Sequence, residues 1–301
     1  AELHDEAARR YLTVLAHSDL ATEPHLTSAL YGIDNLMIED ARYCQLYSIE
    51  GGIERLPQRL TARLSADIRL SCPVVEVAQC KRGHGYLVTH ARDGQRDAQQ
   101  TERYDAVIAA LPVYWLPMIR WRGERLHHAV MRHHGAYYRP AHYLRVSLLF
   151  RQPFWRSQMS DSYFQLDAFG GCCVYDEGAR HDAGGLGSMS VLLAGGPALT
   201  LSNFPDGQLV DRVLSALPFA ESESRAQLIE SRVHRWVGTV NALPGGRPIR
   251  GRKERHYVSK KDHPGLLMVG DYLFDSTVNG ALASAGVAAK LTARYLAGLH
   301  A

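Results

Sequence analysis

The chain has 301 residues, which suits one large domain or two intertwined ones with ample material for an apolar core. Its 46% hydrophobic and 22% charged content is typical of a globular protein, and no apolar run approaches the ~20 residues that a membrane-spanning helix needs. Five cysteines without a CxxC pair or a His–Cys metal spacing indicate no metal site and favour a reducing, cytoplasmic compartment.

The first part of the chain is predicted to be helical. Leu12 and Leu15 follow a three-to-four-residue spacing, Pro24 interrupts it, and a second helical segment comes next. Residues 1–50 offer too little apolar surface to close a core alone, so we expect them to pack on a substrate-binding part or on a partner chain. Because the sequence begins at Ala1 rather than Met, we expect a processed or excised N-terminus.

Residues 51–112 are predicted to combine one helix with several strands. Ile53, Leu56, Leu60 and Leu64 form one helical face after Gly51-Gly52. The predicted strands that follow are 68–70, 74–77 and 86–89, then a polar surface hairpin over 91–103 and a fully buried strand over 104–110.

The middle of the chain is richer in strands. Strands are predicted over 143–150, 163–166, 172–175, 188–193 and 228–236, with a helix over 206–217. A mixed sheet flanked by helices and joined to a second layer of strands is an α/β or α+β fold in two interleaved parts.

The small net charge of +3 is unevenly distributed. Arginines, histidines and tyrosines alternate between Arg120 and Arg145, a composition that nucleic-acid-binding surfaces also show. The chain has no zinc spacing, no helix-turn-helix signature and little basic excess elsewhere. The cluster is therefore interpreted as a solvated helix face or the rim of a substrate channel, with no nucleic-acid partner.

The end of the chain carries the clearest chemical signal. A buried apolar run over 266–269 stops at Gly270-Asp271, and a helix rich in small residues follows over 282–298. The carboxylate can accept a hydrogen bond from a ribityl or ribose hydroxyl, and free N–H groups at the helix start can face phosphate or a polarised ring oxygen. Gly280-Ala281 would let backbone approach closely. The pattern favours a large anionic cofactor, with an ordinary strand–turn–helix as the alternative.

Three blocks of the sequence, in this order, resemble the C-terminal two-thirds of the flavin-dependent amine oxidase superfamily, which includes monoamine oxidases and L-amino-acid oxidases. The first block is Gly51-Gly52, Leu56-Pro57, Leu60, 73–77 and 105–112, the second is 144–150 with Pro153-Phe154-Trp155, and the third is Trp236, 244–246, Gly270-Asp271, Gly280-Ala281 and Ala285-Gly286. Together the blocks cover roughly residues 48–298.

The resemblance implies FAD as the cofactor and gives roles to matching positions. The backbone of Val74 would meet the adenine, and Asp271, after Gly270, would hydrogen-bond the ribityl–pyrophosphate region. Along the pyrophosphate and the flavin pyrimidine edge would lie Thr277, Val278, Asn279, Gly280, Ala281 and Leu282. Hydride arriving at N5 puts negative charge on N1 and O2, which a helix N-terminus stabilises. Trp236 would lie near the flavin, or serve equally well as a core aromatic.

Two departures from the family pattern shape the prediction. The nucleotide-binding opening, a strand followed by GxGxxG, is absent before Gly51, and such a βαβ unit needs ~30 residues. We therefore expect a hetero-oligomer with a companion chain that carries this segment, unless the segment was cleaved off or lost. Arg247 stands where covalently flavinylated members have a cysteine, so the FAD is expected to be non-covalent.

The resemblance implies an oxidase that removes hydride from the amine-bearing carbon of an amine or amino acid, with O₂ as acceptor, and it assigns no catalytic residue here. Arg120, Arg247 and Arg250 are candidates to clamp a substrate carboxylate, although arginines are mostly surface residues. The alternatives are an FAD-dependent desaturase or porphyrinogen-type oxidase acting on C–C bonds, and a non-catalytic flavin-fold binding subunit.

The same resemblance divides the chain into parts. An incomplete Rossmann-like FAD-binding part is expected over 51–112 and 237–301. A mixed-sheet substrate-binding part is expected over 113–236, interleaved with it.

Overall fold

The computed structural model describes residues 4–29, 49–81, 84–92, 95–159, 162–180, 184–242 and 250–299. The α-helices are α1 Glu6–Leu20, α2 Arg55–Thr61, α3 Glu124–Tyr137, α4 Gly195–Leu201, α5 Asp206–Ala216, α6 Glu221–Gln227 and α7 Val278–Leu299. Short 3₁₀ turns include Val113–Met118, Glu254–His256 and Asp271–Leu273. Within these ranges, no helix has both the length and the apolar character needed to cross a bilayer.

Strands alternate with these helices along the chain. They are β1 Val74–Gln79, β2 Tyr86–Arg92, β3 Gln95–Tyr104, β4 Val107–Ala110, β5 Arg120–Arg122, β6 Pro140–Phe150, β7 Tyr163–Leu166, β8 Cys172–Asp176, β9 Gly187–Ala194, β10 Leu228–Asn241 and β11 Leu266–Val269. The mixed α/β architecture confirms the predicted fold class.

A five-stranded antiparallel sheet in the order β10-β6-β9-β8-β7, here the large sheet, forms one half. Strand β6 sets its two faces, because Leu144, Val146 and Leu148 are buried while Arg145 and Ser147 on the opposite face stay partly exposed. The α4 and α5 helices cover the apolar face. Helix α1 packs on β8 and β9.

A second core joins two smaller sheets. The four-stranded sheet β3-β2-β1-β5 and the parallel pair β11-β4 share this core with α3. Val77, Trp121, Leu126 and Met268 are buried there. Residues 113–138 thus pack with the strands of the expected FAD-binding part, although they lie inside the range predicted to bind substrate.

Two predicted strands differ from the structure. Residues 68–70 form no strand. Their apolar side chains, Ile68 and Leu70, are exposed, Leu70 to 82%, and the segment pairs with no strand of the described chain. The strand predicted to be buried over 104–110 starts only at Val107, and of its four residues just Ala109 is buried.

The exposure of β4 follows from its pairing. In the described chain β4 pairs only with β11, in parallel register from Leu266↔Val107 to Val269↔Ala110, so its other edge is open. Ile108 is consequently 43% exposed. Parallel sheets are normally covered on both faces and seldom consist of two strands. The apolar composition of β4 therefore fits a larger sheet than these residues provide.

Candidate cofactor-binding site

The turn after β11 places a carboxylate at the end of a buried strand. All four residues of β11 are buried, and the chain then passes through Gly270 into the 3₁₀ turn Asp271–Leu273. Asp271 Oδ1 accepts a hydrogen bond from the Tyr272 amide at 2.8 Å. Partial burial raises the pKa of Asp271, against the lowering effect of that amide bond. The carboxyl of Asp271 is therefore incompletely hydrated. It can compensate for the lost water by accepting a hydrogen bond from a ligand hydroxyl.

Helix α7 begins after four further residues, and Thr277 is its N-cap. The Gly280 amide donates to Thr277 Oγ1 at 3.1 Å, and the Ala281 amide donates to the Thr277 carbonyl at 3.1 Å. These two amides are thus used inside the helix. The amides of Val278 and Asn279, in the exposed first turn, have no intrahelical acceptor by the geometry of an α-helix.

The glycine at position 280 has a local reason. A Cβ added there would lie 2.1 Å from the Asp275 carbonyl oxygen, so the turn packs directly against the helix backbone. Leu282, two residues further, is 47% exposed. Gly280 is therefore needed to close the turn, whatever the ligand.

Trp236 lies on β10, opposite Tyr143 of β6, and the residue is 40% exposed. It stacks on His234 with ring centroids 5.7 Å apart. The end of β10 meets the segment 270–277 between β11 and α7, here called the cofactor turn, since Ser276 Oγ donates to the Asn241 carbonyl at 2.5 Å. The fold thus brings the strand of Trp236 to the start of α7.

The remaining candidates are more scattered. Val74 is the first residue of β1, and its side chain is exposed. Arg120 is on β5, with Nε 3.3 Å from the carboxylate of Glu76, so it already has an anionic partner. Arg250 is exposed, and its carbonyl accepts from Arg255 Nε at 2.8 Å. Arg247 lies outside the described residues.

Sequence reasoning missed one buried polar contact beside the turn. His256 and Ser284 are both 0% exposed, and His256 Nε2 lies 3.1 Å from the Ser284 carbonyl oxygen and 3.2 Å from Ser284 Oγ. Ser284 Oγ also accepts from the Gly270 amide at 3.2 Å. A histidine and a serine 28 residues apart form no recognisable motif, so nothing in the sequence indicated the pair.

The groups around the turn match the chemistry of a flavin dinucleotide. Asp271 supplies a half-buried acceptor for a sugar-alcohol hydroxyl, and the first turn of α7 supplies amide donors at the positive end of a 22-residue helix. The exposed apolar side chains of Val278 and Leu282 border these groups. The sequence contains no GxGxxG segment for the pyrophosphate, so the fit covers only part of such a cofactor.

Comparison with known proteins agrees with this chemistry. The profile of the family described as flavin containing amine oxidoreductase matches residues 2–292. No curated protein sequence matches the chain. The fold is similar to that of cyclohexylamine oxidase from Brevibacterium oxydans IH-35A, with a TM-score of 0.68 and 17% identity over 99% of this chain. It is also similar to wild-type putrescine oxidase bound to putrescine, with a TM-score of 0.59 and 16% identity over 99% of this chain. The chain spans 66% of the length of each of these two structures.

Proposed function

Because the chain belongs to the family of flavin-containing amine oxidoreductases, we propose that it is part of an FAD-dependent oxidase of amines or amino acids. The observation that carries the proposal is that the turn bearing Asp271 packs against α7, where the Gly270 amide donates to Ser284 Oγ at 3.2 Å. FAD, the cofactor assigned by the family, supplies hydride acceptance from the amine-bearing carbon and reoxidation by O₂.

The residues of the turn would bind and orient the cofactor. Asp271 accepts a hydrogen bond from a hydroxyl of the ribityl–pyrophosphate region, which compensates the partial burial of its charge. The first turn of α7, at Val278 and Asn279, directs amide N–H groups and the positive end of the helix dipole towards the pyrophosphate and the pyrimidine edge. The backbone of Val74 contacts the adenine, and Trp236 lies near the flavin.

The binding of a substrate carboxylate, if the substrate is an amino acid, falls to Arg250 or Arg247. Arg120 is the weaker candidate, because it shares the carboxylate of Glu76 with Arg122. Arg122 Nη2 lies 2.9 Å from Glu76 Oε1, and Arg120 Nε lies 3.3 Å from Oε2. A second anion would have to displace this existing ion pair.

The missing glycine-rich segment would come from a companion, either a separate chain or a further part of the same polypeptide. Three features of the described residues could form a surface on which this companion docks. They are the open edge of β4, the α2 helix, which has no buried residue, and the exposed apolar side chains Leu70 and Met118. Single exposed apolar side chains are common on protein surfaces, so the open edge of β4, whose unpaired backbone groups can accept another strand, carries most of this argument. The match to 66% of the length of the solved relatives agrees with a missing part of this kind.

The proposal is tested on the native assembly purified with this chain. The sample is denatured, and the released cofactor and every co-purifying polypeptide are identified by mass spectrometry. Intact assembly is then supplied with amines and amino acids while hydrogen peroxide and ammonia are measured. We expect FAD, a GxGxxG-bearing segment, and both products. A preparation without flavin refutes the proposal, peroxide without ammonia indicates the C–C oxidase alternative, and FAD without turnover indicates a binding subunit.

A further inference from the structure

A fully buried polar contact fixes the cofactor turn against α7. Ser284 is in the second turn of α7, and its hydroxyl oxygen accepts the Gly270 amide at 3.2 Å, at the point where β11 ends. Gly270 directly precedes Asp271. The position of this carboxylate relative to the start of the helix therefore depends on the Ser284 hydroxyl.

His256 holds Ser284 from the other side. Its Nε2 is within hydrogen-bond distance of both oxygens of Ser284, and its ring packs on Phe274 with centroids 5.7 Å apart. A carbonyl oxygen only accepts, so the contact with the Ser284 carbonyl assigns the proton to Nε2. Burial lowers the pKa of His256, which keeps the ring neutral at neutral pH.

The segment that carries His256 is attached to the same turn by a second contact. The neighbouring Arg255 donates from Nη1 to the Leu273 carbonyl at 2.7 Å. Arg255 thus bonds the cofactor turn directly, at Leu273. The next residue, His256, acts on Gly270 at the start of the turn through Ser284 of α7. The arrangement leaves Asp271 little freedom to move away from the helix.

We propose that His256 and Ser284 are positioning residues that hold Asp271 and the first turn of α7 in the geometry that binds FAD. The inference rests on the proposed role of Asp271. The inference gives His256 and Ser284 an indirect share in the affinity for FAD, exerted through Asp271 and the first turn of α7. A pair with a purely structural role would have no such share.

The test compares Ser284→Ala, His256→Ala and His256→Gln in the native FAD-loaded assembly. The control is Ser224→Ala, which removes another fully buried helical serine hydroxyl; within the described residues this hydroxyl donates to the Ala220 carbonyl, at the start of its own helix. The FAD dissociation constant is measured by flavin fluorescence on dilution, and amide hydrogen exchange at Gly270 is followed in the same samples.

We expect Ser284→Ala to raise the FAD dissociation constant about three- to tenfold, the effect of losing one neutral hydrogen bond. Exchange at Gly270 should quicken by a similar factor. His256→Gln should keep most of the affinity, because the glutamine amide can place a donor near the Nε2 position, whereas His256→Ala should not. The Ser224→Ala control should leave both quantities unchanged.

Two results overturn the inference. One is a dissociation constant in Ser284→Ala equal to that of the control, and the other is unchanged exchange at Gly270. An Asp271→Ala assembly measured in parallel separates this failure from that of the proposed function. If Asp271→Ala binds FAD weakly and Ser284→Ala does not, only the positioning role is wrong; if Asp271→Ala also binds normally, the proposed cofactor site itself is wrong.

Discussion

Asp271→Asn is expected to weaken FAD binding and, at the same time, to stabilise the cofactor-free chain. Partial burial raises the pKa of Asp271 in the folded chain. The folded state therefore holds this proton more tightly than the unfolded state, in which the pKa is about 3.9. Asp271 thus costs stability progressively as the pH rises from below about 3.9, and the full cost is present once the pH exceeds the raised folded pKa.

The neutral, isosteric asparagine removes this cost without opening a cavity. The difference in unfolding free energy between Asp271→Asn and the parent chain should be largest at neutral pH. It should vanish as the pH falls below about 3.9, where the carboxyl is protonated in both states. Thermal or urea unfolding of the cofactor-free chain over a pH series measures this difference.

The effect on FAD has the opposite sign. A hydrogen bond to a charged acceptor is worth about 1.5–3 kcal/mol, so Asp271→Ala should raise the FAD dissociation constant about ten- to a hundredfold. Asp271→Asn keeps a neutral acceptor and should lose less. Gel filtration at low protein concentration, followed by flavin absorbance at about 450 nm, measures how much cofactor each variant retains.

Asp262 provides a control of opposite character. The hydrogen bond from Ser259 lowers the pKa of this exposed carboxyl, so its ionised form is favoured in the folded chain. Asp262→Asn should therefore lower stability slightly at neutral pH and leave FAD binding unchanged. The reasoning is refuted if Asp271→Asn destabilises the cofactor-free chain at pH 7, or if Asp271→Ala retains as much flavin as the parent.

Three further outcomes are expected. Gly85→Ala should destabilise the chain more than Gly123→Ala in urea unfolding. Both glycines have φ of +102°, which strains an alanine by about 1–3 kcal/mol, but the new Cβ would lie 2.5 Å from the Tyr104 carbonyl oxygen at Gly85 and in open space at Gly123. Equal losses would show that the close approach is relaxed. Titration of the isolated chain with FAD should give weak binding, because the GxGxxG helix start that holds the pyrophosphate is not in the sequence, and tight binding would contradict the proposed companion. Acid or heat denaturation should release FAD intact, since Arg247 offers no thioether, and flavin left on the washed precipitate would disprove this.

The sequence alone predicted the elements whose local pattern matches their surroundings. The alternation in 143–150 became β6, and the predicted strand over 228–236 became the first part of β10. The apolar run 266–269 became β11, followed by Gly270-Asp271 and a long helix. In β6 the alternation of apolar residues equals the period of the strand, whereas β11 is a short apolar run bounded by Gly265 and Gly270 and buried on both faces.

Non-local contacts decided the rest. Helix α3 came from a basic, histidine-rich stretch whose apolar face is recognisable only once Leu126 and Val130 meet the second core. The exposed flank of β4 could not be foreseen either, because the apolar sequence of a strand does not state how many neighbours it has. The residues of the cofactor turn could be chosen from their order along the chain, but the contact of His256 with Ser284 could not. It joins two side chains 28 residues apart, which the bridge between Tyr257 and Leu267 and the packing of β11 against α7 bring together.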